Sequence, residues 1–341
     1  MNERITLINF MEFTEAQLDK LRAVSSRLEV HQLPQAAFDE IPESLRYKAE
    51  ILYGWGKQLD QAHRYPSLKW IQTHSAGVND LLDQPVWHSP VIITSLNGVH
   101  AVSMAEHALA MMLAFRWRLR AMFDFQSRSE WPQDRWDWFA VPELRGSTLG
   151  LVGYGAIARE LARQAQALGM RVLAVNRSGQ RRPYRGFREP GTGDPDALIP
   201  EKVYSTTALL DMLPQCDYVV VLAPLTPATR RLIGPAAFAA MKPTAYFFNL
   251  ARGGLVDEAA LIQALEEGQI AGAGLDVFET EPLPADSPLW QLDPERLIIS
   301  PHVSGFSPNY DERASDLLAE NLRRYLAGEP LLNLVERERG Y

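Results

Sequence analysis

Cysteine is nearly absent from this chain: Cys216 is the single one among 341 residues. One thiol cannot close an intrachain disulfide and has no second thiol with which to build a metal cluster, so both scaffolds are excluded. No lysine–arginine block is present, and the formal net charge is −8, which disfavours general nucleic-acid binding. A long uninterrupted apolar run is also missing. The best candidate, residues 101–125, carries Glu106, His107, Arg116, Arg118 and Arg120, too many charges for a bilayer span. The opening MNERITLINF lacks the charged-then-apolar pattern of a secretory leader, so a cytoplasmic location is expected.

What is present is the patterning of a layered α/β protein, long enough for two domains. Short apolar runs (ITLINF, LEVHQL, ILYGW, LKWIQT, VIITSLN) alternate with helical stretches over the first hundred residues, which indicates a mostly parallel sheet. Residues 101–125 contain neither Gly nor Pro and read as one long helix bridging to a second domain. Trp131, Trp136 and Trp138 follow on a proline-containing loop, where large aromatics are either packed beneath the loop or used for contacts. A second alternating series begins at Ser147: RVLAVN, YVVVLA, AYFFNLA, AGAGLDV and LIISPH. Within it, residues 178–202 form an Arg-, Pro- and Gly-rich stretch, too long for an ordinary strand–helix joint and expected to be a functional excursion or partly disordered. The last helical stretch, PNYDERASDLLAENLRRYLAG, is expected to pack back on the first domain.

The most informative stretch is STLGLVGYGAIARELARQAQALG, residues 147–169. A buried strand breaks into Gly153-Tyr154-Gly155 and an amphipathic helix follows from Ala156, the setting in which a dinucleotide fingerprint is meaningful. Gly153 permits the tight turn, Gly155 admits a pyrophosphate close to the backbone, and Ala158 is small enough for close helix–strand packing. The helix N-terminus offers N–H groups and a positive dipole end to phosphate. Open parallel sheets bind ligands at the carboxyl ends of their strands, and three ionisable residues follow such ends. Arg252 comes after AYFFNLA, Glu281 after AGAGLDV and His302 after LIIS. They supply a fork for a carboxylate, an orienting acid and a proton-transfer base. Singly, each also fits a solvated loop charge or a packed histidine.

These motifs, with HSAGVNDL (74–81), NGVHAVSMAEHALAMMLAF, LAPLTPATRRLIG, FFNLARGGLVDEAAL, GAGLDVFETEPLP and SPHVSG, resemble the D-2-hydroxyacid dehydrogenase family in order and over nearly the whole chain. The resemblance implies two Rossmann-like, doubly wound parallel-sheet domains. Residues 1–100 with 303–341 would form the substrate domain, and 101–302 an inserted nucleotide domain. It implies that His302 exchanges a proton with the substrate's 2-hydroxyl, that Glu281 bonds the imidazole and favours its protonated form, and that Arg252 binds the carboxylate and polarises the 2-oxo group. Asp276 would hold the nicotinamide carboxamide, and the backbone at Ser75, Ala76 and Gly77 would receive the substrate carboxylate. Tyr53 and Trp55 would shape the side-chain pocket, and Trp138 or Trp136 would reach a second subunit's site in a homodimer. Met104, Ala156 and Ile157 would line the cofactor, as would Ala223, Pro224 and Thr229. Leu250, Ala251 and Ser304 complete that set.

Two positions depart from the family pattern. Asn79 stands where an Asp is frequent. More telling, the end of RVLAVN reads Asn176-Arg177-Ser178, with no acid to accept the adenosine ribose hydroxyl or repel a 2′-phosphate. Arg177 can pair with a phosphate, Asn176 and Ser178 can donate to it, and Arg181, Arg182 and Arg185 add positive potential. The expectation is therefore an NADPH-preferring reductase of 2-oxo acids such as glyoxylate or hydroxypyruvate, or of bulkier acids. Alternatives are a nucleotide-sensing corepressor-like protein, which typically carries extra tails, and a 3-phosphoglycerate-type dehydrogenase. A formate dehydrogenase would pair its histidine with Gln rather than Glu281.

Overall fold

The computed structural model describes residues 4–340. Met1–Glu3, part of the N-terminal stretch read above for a leader, and Tyr341, at the end of the expected substrate domain, lie outside the described residues. The chain divides into two compact units. One comprises the residues up to Val99, Arg185–Glu189 and the residues from Ser307; the other comprises His100–Tyr184 and Pro190–Phe306.

The first unit is built on β1 (Ile5–Asn9), β2 (Leu28–Gln32), β3 (Ala49–Gly54), β4 (Trp70–Thr73) and β5 (Ile92–Thr94), all parallel, in the order β2-β1-β3-β4-β5. Strands β1 and β4 are buried along their whole length, as parallel strands covered on both faces must be. On one face Leu7, Ile51, Tyr53 and Trp70 pack with Leu18 and Leu21 of the helix Glu15–Arg22 and with Leu317, Leu318 and Leu322 of the helix Tyr310–Ala327. Thr14 and Gln17 form a reciprocal capping box at the first of these helices, satisfying two otherwise orphaned N–H groups. Phe187 packs against the same layer, its N–H donates to Asn333 Oδ1 at 3.0 Å, and Glu189 pairs with Arg313. The expected inserted span 101–302 is corrected by this: Arg185–Glu189 belongs with the chain ends, because Phe187 finds its apolar partners there.

The second unit contains β6 (Thr148–Val152), β7 (Arg171–Asn176), β8 (Lys202–Ser205), β9 (Tyr218–Val221), β10 (Tyr246–Asn249), β11 (Gly272–Leu275) and β12 (Leu297–Ile299). They are parallel throughout, in the order β12-β11-β10-β9-β6-β7-β8. The chain leaves β6 toward β7 and β8, then returns to β9 on the other side. The loop after β6 therefore sits at the topological switch point, where open sheets leave a ligand crevice. Ala158, Leu161, Ala162 and Ala165 of the helix Ala156–Ala167 pack with Ala105, Ala108 and Met112 of the helix Ala101–Arg116 over this sheet. Burying Leu161 alone stabilises by about 1.5–3 kcal/mol.

The single helix expected over 101–125 is two helices. The first ends at Arg116, Arg118 adopts a left-handed conformation (φ 49°), and a second helix spans Leu119–Ser127. Phe115 is the last residue of the buried stripe, stacked on Tyr246 with centroids 4.9 Å apart; Trp117 beyond it is exposed. With no apolar face left to cover, the first helix has nothing to continue for.

Cys216 is fully buried and its thiol donates to the Met212 carbonyl at 3.4 Å. Gly150 on β6 makes this possible, since a Cβ there would stand 2.5 Å from Cys216 Sγ. Burial pushes the thiol up to about 12, so it is protonated and unreactive in the folded chain. A colourless-to-coloured disulfide reagent at mildly alkaline pH is expected to find no thiol in the native protein and one per chain after denaturation.

Candidate active site

The glycine loop is a cradle built from backbone. Gly153 has φ 97°, its N–H donates to the Val175 carbonyl at 3.0 Å, and a Cβ would meet the backbone N of Ala223 at 2.6 Å. Only glycine fits both the conformation and the approach. Gly155 is the N-cap of the helix Ala156–Ala167 and supplies no side-chain cap, and among the described residues nothing but its own chain neighbours lies within 4 Å of where its Cβ would stand. The first N–H groups of that helix are thus left for an external acceptor, which is what a pyrophosphate needs. These features fit a dinucleotide. Ala156 is buried and Ile157 half-buried within the first turn.

At the end of β7 the sequence expectation is refined. Asn176 Oδ1 accepts from the N–H groups of Ser178 (3.0 Å) and Gly179 (2.8 Å), and its Nδ2 donates to the Gln180 carbonyl at 2.7 Å. The Asn176 side chain is therefore committed to its own turn. Arg181 is likewise committed, donating to the carbonyls of Ala197 (2.6 Å) and Pro200 (2.5 Å). Arg177 is exposed beside this turn, as are Arg182 and Arg185 further along. Thr229 builds its own loop, its hydroxyl donating to the Pro224 carbonyl at 2.7 Å. Met104 is half-buried against the apolar layer under β6.

Arg252, Glu281 and His302 stand on loops that follow the neighbouring strands β10, β11 and β12. His302 Nδ1 lies 2.7 Å from Glu281 Oε2, and Glu281 Oε1 accepts the Phe278 N–H at 3.0 Å. With Nδ1 fixed to the carboxylate, Nε2 is the nitrogen presented outward. His302 has φ 54°, a costly conformation for a side-chain-bearing residue, and Asp276 explains how it is kept. Asp276 is fully buried; Oδ1 accepts from Ser300 Oγ (2.6 Å) and Val303 N (2.9 Å), and Oδ2 from Ser304 N (3.0 Å). Asp276, expected to hold a carboxamide, holds the loop on both sides of His302 through these three bonds. Ser304 is buried with it.

Arg252 Nη1 donates to the Ala251 carbonyl at 2.7 Å. Its backbone is placed by Asn249, whose side chain donates to the Arg252 carbonyl at 3.0 Å and accepts the Ala251 N–H at 3.2 Å. Leu250 between them is buried. The sequence reading passed over Asn249, although a polar residue closing the apolar run AYFFN is a signal that could have found it. It also passed over His107 and Ser300, whose side chains meet at 3.1 Å.

In the first unit, the Ser75 hydroxyl donates to the Gly77 carbonyl at 2.7 Å, and the Ser75 carbonyl accepts from Thr73 Oγ1 and the Leu96 N–H, both at 2.9 Å. Ala76 is half-buried within this fixed turn. Tyr53, expected to shape the side-chain pocket, stands at the carboxyl end of β3 and is fully buried, its hydroxyl 2.5 Å from His74 Nδ1. Trp55 is exposed. Trp138 packs edge-on against Phe125 and donates to Asp134 at 3.0 Å, whereas Trp131 and Trp136 are the exposed rings of their loop.

A glycine cradle at a switch point, followed on the same sheet by an imidazole–carboxylate pair and an arginine, defines a dinucleotide-dependent oxidoreductase. Comparison with known proteins makes the class specific. Residues 109–304 match the family described as D-isomer specific 2-hydroxyacid dehydrogenase, NAD binding domain. The chain is 33% identical to a glycerate dehydrogenase of Methylorubrum extorquens over 281 residues, covering 81% of this chain and 82% of that one. Among solved structures it is similar to a D-isomer specific 2-hydroxyacid dehydrogenase of Xanthobacter autotrophicus in complex with NADPH and MES. The TM-score is 0.79 at 29% identity, covering 99% of this chain and 100% of that one. An NADPH-dependent glyoxylate/hydroxypyruvate reductase of Sinorhizobium meliloti, in complex with NADP and sulfate, gives a TM-score of 0.77 at 26% identity with the same coverage. The chain belongs to the D-isomer-specific 2-hydroxyacid dehydrogenase family and is an NAD(P)-dependent enzyme of that family. Among the described residues, no helix is long and apolar enough to cross a membrane.

Replacing His302 by Ala is expected to lower turnover by roughly 10²- to 10⁴-fold, the usual contribution of an acid–base group, in a steady-state assay following oxidation of the reduced nucleotide. Asn249→Ala, which frees the Arg252 backbone without touching its side chain, is expected to lower the specificity constant by about tenfold or more.

Proposed function

We propose that the chain is an NADPH-preferring reductase of small 2-oxo acids, glyoxylate and hydroxypyruvate above all, producing the 2-hydroxy acids, with the D configuration wherever the second carbon is a stereocentre. The observation that carries the cofactor part is the end of β7, where Arg177 is exposed, Asn176 is spent on its turn, and no carboxylate follows the strand. An acid there would accept the ribose hydroxyls of NAD; a guanidinium favours a 2′-phosphate. The NADPH-dependent name of the Sinorhizobium relative and the nucleotide bound to the Xanthobacter one agree with this.

When bound, a reduced nicotinamide nucleotide would supply the hydride for the substrate's second carbon. His302, with Nδ1 held on Glu281, delivers a proton from Nε2 to the oxygen that becomes the hydroxyl, and Glu281 stabilises the imidazolium that precedes the transfer. Arg252 binds the carboxylate and polarises the neighbouring 2-oxo group. The Ser75–Gly77 backbone is assigned to the substrate carboxylate as well. Asp276 acts one step back by keeping His302 in its left-handed conformation. The glycine cradle receives the pyrophosphate on the first N–H groups of the helix Ala156–Ala167. We assign the exposed aromatic surface of Trp117, Phe123, Trp131 and Trp136 to a homodimer contact, since single chains rarely leave so many large rings in water. A cytoplasmic location completes the reading.

Crossing NADPH and NADH with glyoxylate, hydroxypyruvate, pyruvate, phenylpyruvate and 2-oxoisocaproate tests both parts. A higher specificity constant with NADPH, and with the two smallest functionalised acids, is expected; equal or better efficiency with NADH contradicts the cofactor assignment. Arg177→Ser should reduce the NADPH:NADH preference by about tenfold or more, the worth of a charge-assisted phosphate contact.

A further inference from the structure

The excursion between β7 and β8 is held to the glycine loop by a buried polar network that the reaction does not use. Tyr154, the middle residue of the loop, is buried, and its hydroxyl donates to Asp194 Oδ2 at 2.6 Å. Asp194 is itself buried and accepts the N–H groups of Leu198 (2.9 Å) and Ile199 (3.0 Å). Arg159, one turn into the glycine-loop helix and buried, donates to the carbonyls of Asp194 (2.5 Å) and Arg182 (2.7 Å), with its guanidinium 4.7 Å from the Tyr154 ring centroid. Glu160, beside it and buried, accepts the Gly193 N–H at 2.7 Å. Burial first, and then the bond to Asp194, push the Tyr154 hydroxyl well above its ordinary range, so it remains a donor at any working pH.

The network has a direction. Arg159 grips the carbonyl of Arg182; Arg181, the residue before, is fixed to Ala197 and Pro200; and the residue before that, Gln180, gives its carbonyl to Asn176. The turn that carries Arg177 is therefore fastened at its far end to the same helix whose N-terminus follows the glycine loop. A buried carboxylate with three donors is a stiff joint, because every one of its bonds is expensive to leave unmade.

We infer that Asp194 is a positioning residue for cofactor selection: through Tyr154 and Arg159 it holds the Asn176–Gln180 turn at a fixed distance from the glycine cradle, so that Arg177 meets the 2′-phosphate of NADP when the pyrophosphate lies on the helix. This rests on the NADP reading above. Asp194 touches neither cofactor nor substrate; it acts only through the geometry of the turn. Loosening the joint should therefore weaken NADPH more than NADH, which has no 2′-phosphate for Arg177 to meet.

The test compares dissociation constants for NADPH and NADH, read by quenching of tryptophan fluorescence, in the wild type and in Asp194→Asn, Tyr154→Phe and Tyr184→Phe. Tyr184 lies in the same excursion with a buried hydroxyl that makes no hydrogen bond among the described residues, so Tyr184→Phe controls for loss of a buried phenol. Asp194→Asn and Tyr154→Phe are expected to raise the NADPH dissociation constant by about tenfold, the effect of one charge-assisted bond, with a smaller rise for NADH. Tyr184→Phe should change neither. In Asp194→Asn the loss should appear in KM for NADPH, with kcat at saturating nucleotide retained. A wild type that binds NADH at least as well as NADPH overturns the cofactor reading. A wild-type preference for NADPH that survives both Asp194→Asn and Tyr154→Phe overturns the clamp, as does an equal loss for the two nucleotides. Tyr154→Phe is isosteric, so it decides the matter even if Asp194→Asn does not fold.

Discussion

One left-handed glycine packed against the loop that follows a neighbouring strand sets the geometry of the whole nucleotide-binding unit. Gly153 turns at φ 97° with the Ala223 backbone where a side chain would stand, so the helix Ala156–Ala167 starts immediately beyond β6 and aims its free N–H groups over the carboxyl edge of the sheet. Because β6 is where the strand order reverses, that edge opens a crevice rather than a covered face. The small residues Ala158, Ala162 and Ala165 then let the helix lie close to the sheet, and the loops after β10, β11 and β12 follow along the same edge in strand order.

The chemistry on those loops is maintained by buried acceptors. His302 occupies a conformation that costs free energy, and Asp276 offsets this with three hydrogen bonds to the loop on either side. Asn249 does the same for the backbone at Arg252, and Glu281 fixes which imidazole nitrogen faces outward. None of these supporting groups needs to touch the reacting carbon. Their task is to remove freedom from the groups that do, which is how a site keeps its geometry within the tolerance that catalysis demands.

Much of this was legible in the chain, and the pattern of what was not is physical. Strand–glycine–helix over residues 147–169 was readable because period, glycine spacing and length agree. The order of Arg252, Glu281 and His302 was readable because each lies on the loop that follows an apolar strand. The bonds that Asp276 and Tyr53 make depend on which way a side chain points after folding, a property that spacing does not encode. The break at Arg118 was invisible because no Gly or Pro marks it: a non-glycine residue took the left-handed turn once the buried stripe ended at Phe115. Whether the excursion after β7 was ordered could not be read from spacing, because its order comes from distant partners: Tyr154 of the glycine loop, and Arg159 and Glu160 of the helix that follows.

The account stands or falls on hydride delivery to the second carbon of a 2-oxo acid with a single handedness. Reduction of hydroxypyruvate with NADPH deuterated at carbon four on the transferred face, followed by chiral chromatography and mass analysis of the product, measures this directly. The account predicts D-glycerate with one deuterium on its second carbon. L-glycerate, a racemate, or a product without the label would contradict it.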